Sequence, residues 1–311
     1  MRISLIVTVL NEKRSIERFL ESVASQSKIP DELVIVDAGS IDGTIETIQS
    51  YESRLNGLKV IVEESASRGR GRNLAIEHSI GDIVAVTDAG CVAERDWLAN
   101  MVKPIAEGSC DVSVGSYRSS HSNSFEFFEG YLLVPSDLRK TSRISSRSLA
   151  FRREVWEAGC RYDENVNVGE DTQFHLCFMQ HGYRVCYADD AFLYWEMPRN
   201  FRELWRKLCA YGDGYWQTLL VKGFRSFFFV IMAFYILVGL SLLLVCIGEI
   251  MLFVGLLLLG MAPILALTAI GVARSRHMNG FLYLPLLMLV QNTAFVTGFT
   301  FAKLVGLIRT R

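Results

Sequence analysis

Short Val- and Ile-rich runs alternate with longer amphipathic stretches over the first part of the chain. The runs Ile3–Val9, Glu32–Asp37, Leu58–Glu63, Asp82–Thr87 and Asp111–Tyr117 predict strands. The stretches Glu12–Ser27, Asp42–Ser53, Ser67–Ser79 and Glu94–Glu107 predict helices between them. Strands that read as unbroken apolar runs are buried on both faces, so the alternation predicts a parallel α/β sheet with helices on either side. Ligands on such sheets bind at the carboxyl ends of the strands. That singles out Thr8–Glu12, Asp37–Asp42, Glu63–Arg72 and Asp88–Gly90 as one rim.

The pattern then loosens. Ser-rich patches at Arg118–Ser124 and Ser142–Ser148 flank an aromatic stretch, Phe125–Leu133, expected to be a mobile segment facing substrate or a plain surface loop. Helices are predicted at Arg152–Ala158 and Glu170–His181, and a strand at Arg184–Ala188. Phe201–Lys222 has helical spacing, with Trp205, Leu208, Tyr215 and Leu219 on an apolar face suited to a membrane surface or to the domain.

Three uncharged apolar segments follow: Ser226–Gly248, Ile250–Ala273 and Gly280–Ala302. Each is long enough to cross about 30 Å of hydrocarbon as a helix. Glu249 alone separates the first pair, which predicts a tight hairpin. Arg274, Arg276 and His277 then share a side with Lys222 and Arg225, which suits a cytoplasmic catalytic domain under the positive-inside rule. The third segment carries Gln291, Asn292 and Thr293 at mid-membrane and leaves Arg309 and Arg311 outside. Three spans are expected, with a re-entrant third segment as the alternative.

Charge sharpens this division. Beyond Lys222 lie six basic and one acidic residue, leaving 26 basic and 32 acidic residues in 1–222, a net of −6. A mildly acidic body argues against a nucleic-acid partner. The seven cysteines show no C-x-x-C pair, so they are expected to be reduced core residues rather than zinc ligands or disulfides. The opening apolar run is too short for a signal peptide and reads as a first buried strand.

The chemistry gathers at strand ends. The first strand ends in Val7-Thr8-Val9-Leu10-Asn11-Glu12 and the second in Val36-Asp37-Ala38-Gly39-Ser40-Ile41-Asp42-Gly43-Thr44. The fourth ends in Thr87-Asp88-Ala89-Gly90, and Gly169-Glu170-Asp171 follows later at a helix start. A strand-end aspartate such as Asp37 suits a base N–H, or else a turn; Asp42 is expected to cap the next helix. Ser67-Arg68-Gly69-Arg70-Gly71-Arg72-Asn73 lacks the third glycine of a dinucleotide fingerprint. Arg70 and Arg72 could hold phosphates beside a helix N-terminus, or form a solvated basic turn.

In this order the motifs resemble those of family 2 inverting glycosyltransferases, from Ile3 to about Tyr215. The resemblance implies the GT-A fold, a Rossmann-like mixed sheet that binds a nucleotide-sugar. It implies donor contacts at Thr8, Glu12, Asp37, Arg70, Arg72 and Asp88. It also implies a catalytic acidic pair, Glu170 and Asp171, with Asp171 as general base. Asp88 matches the first acid of a D-x-D motif that holds Mg2+ or Mn2+. Gly90 replaces the last acid, so an ion loses a carboxylate; its binding is then weaker, uses a residue from elsewhere, or does not occur. Trp195, Arg206 and Tyr211 match the segment that closes over donor and acceptor. No Q-x-x-R-W motif is present, which points to transfer of a single sugar.

The expectation is therefore a cytoplasmic GT-A domain at 1–222 and a multi-pass membrane anchor at 223–311, with helices at 226–248, 250–273 and 280–302. It would move one sugar from a UDP- or GDP-sugar to a lipid or lipid-linked acceptor in glycan or envelope synthesis. A polyprenyl-phosphate sugar synthase and a non-catalytic nucleotide-sugar-binding partner are the alternatives.

Overall fold

The computed structural model describes residues 1–55, 57–135, 144–166, 168–218, 236–237, 240 and 250–309. They form two compact units, Met1–His121 with Gly130–Met197, and Ser122–Glu129 with Pro198–Arg311. The boundary expected at Lys222 falls outside the described residues.

The first unit is built on one eight-stranded mixed sheet. Its strands are β1 Ile3–Val9, β2 Glu32–Asp37, β3 Leu58–Val62, β4 Ile83–Asp88, β5 Cys91–Ala93, β6 Val112–Ser120, β7 Ser148–Arg152 and β8 Val185–Glu196. They lie in the order β3-β2-β1-β4-β7-β6-β8-β5. The β3-β2-β1-β4 half is parallel throughout, as its apolar runs predict. β7 breaks that direction by pairing antiparallel with both β4 and β6. β6 and β8 run parallel, with a register break between Gly115 and Ser116, and short β5 closes the far edge antiparallel to β8.

Six helices accompany the sheet in this unit: α1 Lys13–Ala24, α2 Thr44–Gln49, α3 Arg68–Glu77, α4 Trp97–Ala106, α6 Arg153–Glu157 and α7 Glu170–Gln180. The strand period of two sorts β1 between two cores. Leu5 and Val7 face Phe19, Leu20, Trp97 and Met101 on one side of the sheet. Ile6 joins Leu74, Ile76, Phe151, Trp156, Phe174 and Phe178 on the other.

The second unit contains most of α5, Ser124–Leu133, with α8 Phe201–Thr218, α9 Ile250–Ser275 and α10 Gly280–Arg309. Phe125–Leu133, expected to be irregular, is helical. Phe125 packs edge-on against Phe201, Phe127 against His277, and Phe128 stacks on Tyr283, so its three phenylalanines are committed to packing. On α8 the buried face is Leu204, Leu208 and Gly212, while Trp205 is turned outward. Of the face expected here Leu208 is buried and Trp205 is not, while Leu219 lies outside the described residues.

α8 and α10 cross where neither has a side chain. A Cβ on Gly212 would lie 2.0 Å from the Phe295 carbonyl oxygen, and one on Gly298 would lie 2.0 Å from that of Cys209. The expected span Ser226–Gly248 falls almost wholly outside the described residues. Among the described residues one helix is long and apolar enough to cross a membrane, Gly280–Thr300, with a shorter apolar stretch at Met261–Ser275. α10 is continuous through Gln291, Asn292 and Thr293, and the Thr293 hydroxyl donates to the Leu289 carbonyl at 2.7 Å.

Candidate active site

Strand register brings the predicted residues together. Thr8 on β1 pairs with Asp88 on β4, and Val9 pairs with Asp37 on β2, so both acids emerge at the same edge of the parallel half. The loops beyond are laced together. Asn11, with a left-handed φ of 55°, donates its N–H to Ser40 Oγ and accepts from the Ile41 N–H at 3.0 Å. Thr44 Oγ1 accepts from the Glu12 N–H at 2.8 Å. Asp42 accepts from the Lys13 and Thr44 N–H groups, each at 3.1 Å. It thus caps α2 from the position before the N-cap, which is Gly43 at φ +95°.

Asp37 is fully buried and its Oδ1 accepts from the Gly39 and Ser40 N–H groups at 2.8 and 2.7 Å. Oδ2 is buried with no hydrogen-bond partner. A buried lone carboxylate oxygen is costly, and a donor N–H arriving at the rim would satisfy it.

The centre of the site is an ion cluster. Arg72 is almost wholly buried; its Nη2 meets Asp88 Oδ1 at 3.0 Å and its Nη1 pairs with Glu170 Oε1. The guanidinium also lies 5.3 Å from the Tyr162 ring centroid. Burial opposes ionisation of Asp88, but Arg72, Arg147 and Arg68 outweigh it and hold the carboxyl below its usual range. Glu170 is raised, through burial and the adjacent Asp171, against the pull of Arg72. Burial likewise raises Glu12, with Asp88 adding to the shift, while a bond from Ser15 opposes it.

Asp171 differs from its neighbour. It sits half-buried in the first turn of α7, beyond Gly169 at φ +97°, and makes no hydrogen bond or ion pair among the described residues. The helix start favours its negative charge. Phe174 and Phe178 anchor α7 in the core, and Phe174 stacks on Tyr162 at 4.4 Å. Cys177 is joined by a disulfide to Cys160, with Cα atoms 5.5 Å apart. These two cysteines were expected to be reduced. The chain folds the intervening residues back so that the pair falls within bridging range, which spacing alone does not reveal.

Two arginines of the predicted site are paired with acids. Arg70, expected on phosphate or in a solvated basic turn, has its guanidinium among Glu63, Glu77 and Glu164 at 3.5–3.9 Å. Arg72 reaches the site but is spent on Asp88 and Glu170. Residues two apart diverge by about 200° around a helix, so the two side chains leave it on opposite sides. The glycines between them serve packing: a Cβ on Gly71 would lie 2.7 Å from Thr8 Cγ2, and one on Gly69 2.1 Å from the Asp163 carbonyl oxygen.

Sequence reasoning missed Arg147. Its Nε lies 3.5 Å from Asp88 Oδ2, and its guanidinium sits 3.7 Å from the Trp195 ring centroid and 5.0 Å from that of Tyr117. Trp195, expected in the segment that closes over donor and acceptor, is buried beneath this arginine. Arg206, exposed, and Tyr211, half-buried, are on α8 in the second unit.

For a divalent ion the donor set is thin. Asp88 is the acid left by the Gly90 replacement, and two guanidiniums already occupy it. Among the described residues, Cys160, Cys177 and His181 are the group of three or more His, Cys, Asp or Glu side chains that converges closely enough to hold an ion, and the disulfide uses both sulfurs. The residues at Asp88 do not fit a protein-held metal.

The comparisons agree with this geometry. The family described as "Glycosyl transferase family 2" matches residues 4–187, and "Glycosyl transferase family group 2" matches 106–272. The chain belongs to glycosyl transferase family 2. It is a glycosyltransferase, and its first unit has the GT-A fold. "Glycosyltransferase AglE" of Haloferax volcanii is 27% identical over 76% of this chain and 80% of its own. A Bacillus subtilis protein named for teichuronic acid biosynthesis, TuaG, is 33% identical over 64% of this chain and 80% of its own. Among solved structures, the mannosyltransferase PcManGT of Pyrobaculum calidifontis, in complex with GDP-Man and Mn2+, superposes with a TM-score of 0.59 at 20% identity. That match covers 96% of this chain and 85% of the other. Staphylococcus aureus TarS 1-349 with UDP-GlcNAc gives 0.54 at 20% identity, over 68% and 66%.

Proposed function

We propose that this family 2 enzyme transfers one sugar, with inversion, from a UDP- or GDP-sugar to a lipid or lipid-linked acceptor at a membrane surface. Asp171 carries the reading: a carboxylate with no hydrogen bond or ion pair among the described residues, at a helix start, next to an acid that is paired with Arg72.

Asp37 Oδ2 takes the nucleobase N–H, and the laced Asn11–Thr44 loops hold the nucleoside above the strand ends. Glu170, through Arg72, fixes the first turn of α7 against β4. Asp171 accepts the proton of the acceptor hydroxyl as that oxygen attacks the anomeric carbon. The bond from C1 to the diphosphate breaks as the new one forms, and the nucleoside diphosphate leaves with the electron pair.

The second unit supports work at a membrane. Phe281, Leu282 and Leu286 on α10, and Leu265, Leu267 and Ile270 on α9, are exposed. Such faces suit hydrocarbon, and a site tethered there meets lipid acceptors first. Envelope and glycan names among the relatives point the same way.

The test is transfer from a panel of UDP- and GDP-sugars to a membrane lipid extract by the purified full chain. A lipid-extractable product from one donor is expected. Nucleotide binding without turnover on any donor or acceptor would sink the reading in favour of a binding partner.

A further inference from the structure

A leaving nucleoside diphosphate carries negative charge that some group must neutralise, so this inference rests on the glycosyl-transfer reading. In a site with a full acidic motif that task falls to a divalent ion. Here Gly90 removes one acid, and a Cβ at that position would meet nothing within 4 Å, so no neighbour has filled the gap. The acid that remains, Asp88, is bracketed by Arg72 at 3.0 Å and Arg147 at 3.5 Å. Arg72 is committed on its other side to buried Glu170. Arg147 is held differently.

Its guanidinium lies over Trp195 and beside Tyr117, whose rings meet edge to face at 6.3 Å. Those rings come from β8 and β6, and β7 begins at the next residue, Ser148. Three strands therefore fix one guanidinium at the β4 strand end. A cation held over aromatic rings keeps its charge, and its planar fork matches phosphate oxygens in pairs. The Arg147 side chain is 12% exposed and that of its partner Asp88 34%, so the pair reaches the surface at the rim.

We propose that Arg147 binds the donor diphosphate and neutralises the leaving group, so that this enzyme transfers sugar without Mg2+ or Mn2+. As the C1–oxygen bond breaks, its electron pair passes to the β-phosphate oxygen, and Arg147 stabilises that oxygen through hydrogen bonds while remaining protonated. Asp88 positions the guanidinium.

The experiment measures equilibrium binding of UDP, GDP, uridine and guanosine to the detergent-solubilised full chain, in EDTA and in Mn2+. The preferred diphosphate is expected to bind in EDTA within about twofold of its affinity in Mn2+. Arg147→Gln should weaken the diphosphate about tenfold or more and leave its nucleoside unchanged, the size of a lost charge-assisted bond. Gly90→Asp, which has room for its side chain, should bind the diphosphate more tightly in Mn2+ than in EDTA. Wild-type binding that requires Mn2+, or Arg147→Gln binding the diphosphate as well as wild type does, overturns the assignment. Absence of nucleoside binding in every protein instead overturns the glycosyl-transfer reading itself.

Discussion

Arg72 joins Asp88, at the end of β4, to Glu170, at the start of α7, through one buried guanidinium. A strand and the helix that carries Asp171 are thereby tied at the candidate site. Removing one member of a buried pair leaves an uncompensated charge, which costs about 3–5 kcal/mol. Arg72→Ala should therefore shift the urea midpoint of the first unit sharply downward. Glu170→Gln should cost less, because it still accepts from Arg72. Equal, small shifts in both variants would show that the cluster adds little to stability.

Asp171 should separate chemistry from folding. Asp171→Asn is expected to lower kcat by about 100-fold to 10,000-fold, the usual worth of a general base. Donor affinity and melting temperature should stay near wild type, since this carboxylate holds nothing in place. Initial-rate kinetics with saturating donor make the comparison. Undiminished turnover would mean that the acceptor arrives already ionised, as a phosphate does.

The Cys160–Cys177 bridge closes a loop that contains the Glu170–Asp171 turn. For a loop of this length the chain-entropy account gives about 3 kcal/mol. Reduction with a phosphine should lower the melting temperature, and Cys177→Ser should reproduce that value and abolish the response to reductant. A Cys177→Ser protein as stable as the oxidised wild type would show that the bridge does not stabilise the fold.

Glu129, in the second unit, is buried with neither carboxylate oxygen hydrogen-bonded, and its pKa is pushed up to about 8. Burial is the main cause, with Glu126 and Glu203 adding to it and Lys207 opposing. The unfolded chain loses this proton near pH 4.5 and the folded chain keeps it to about 8, so stability from this group falls as pH rises through that window. Wild-type melting temperature should decline from about pH 5 to 8, and Glu129→Gln should remove the decline. A slope unchanged by the substitution would assign it to other groups.

Much of this could be read from the chain. β1 and β2 fall at their expected limits because their Val/Ile runs stop at turn-forming residues, Asn11 and Gly39. The strands β5 and β7 were not legible. They are short and antiparallel, and Ser148–Arg152 reads as the edge of a Ser-rich loop. α5 hid because Phe and Tyr fill it without a helical period. The positions of Asp37, Asp88 and the Glu170–Asp171 pair at strand and helix ends were legible. Arg147 was not, since its meaning comes from Tyr117 and Trp195, which only the sheet brings near. The acidic partners of Arg70 were not legible either, because Glu63, Glu77 and Glu164 come to it from separate parts of the chain.

The crossing of α8 and α10 carries a consequence for how this sequence can drift. At Gly212 and Gly298 the backbones touch, and each position has already given up every atom beyond Cα. A larger residue at one site cannot be relieved by a smaller one at the other, because nothing smaller than glycine exists. Nor can either helix slide by a residue to escape, since a side chain would then enter the contact. The pair is an evolutionary dead lock: both glycines stay together, or the crossing must be rebuilt elsewhere along the helices.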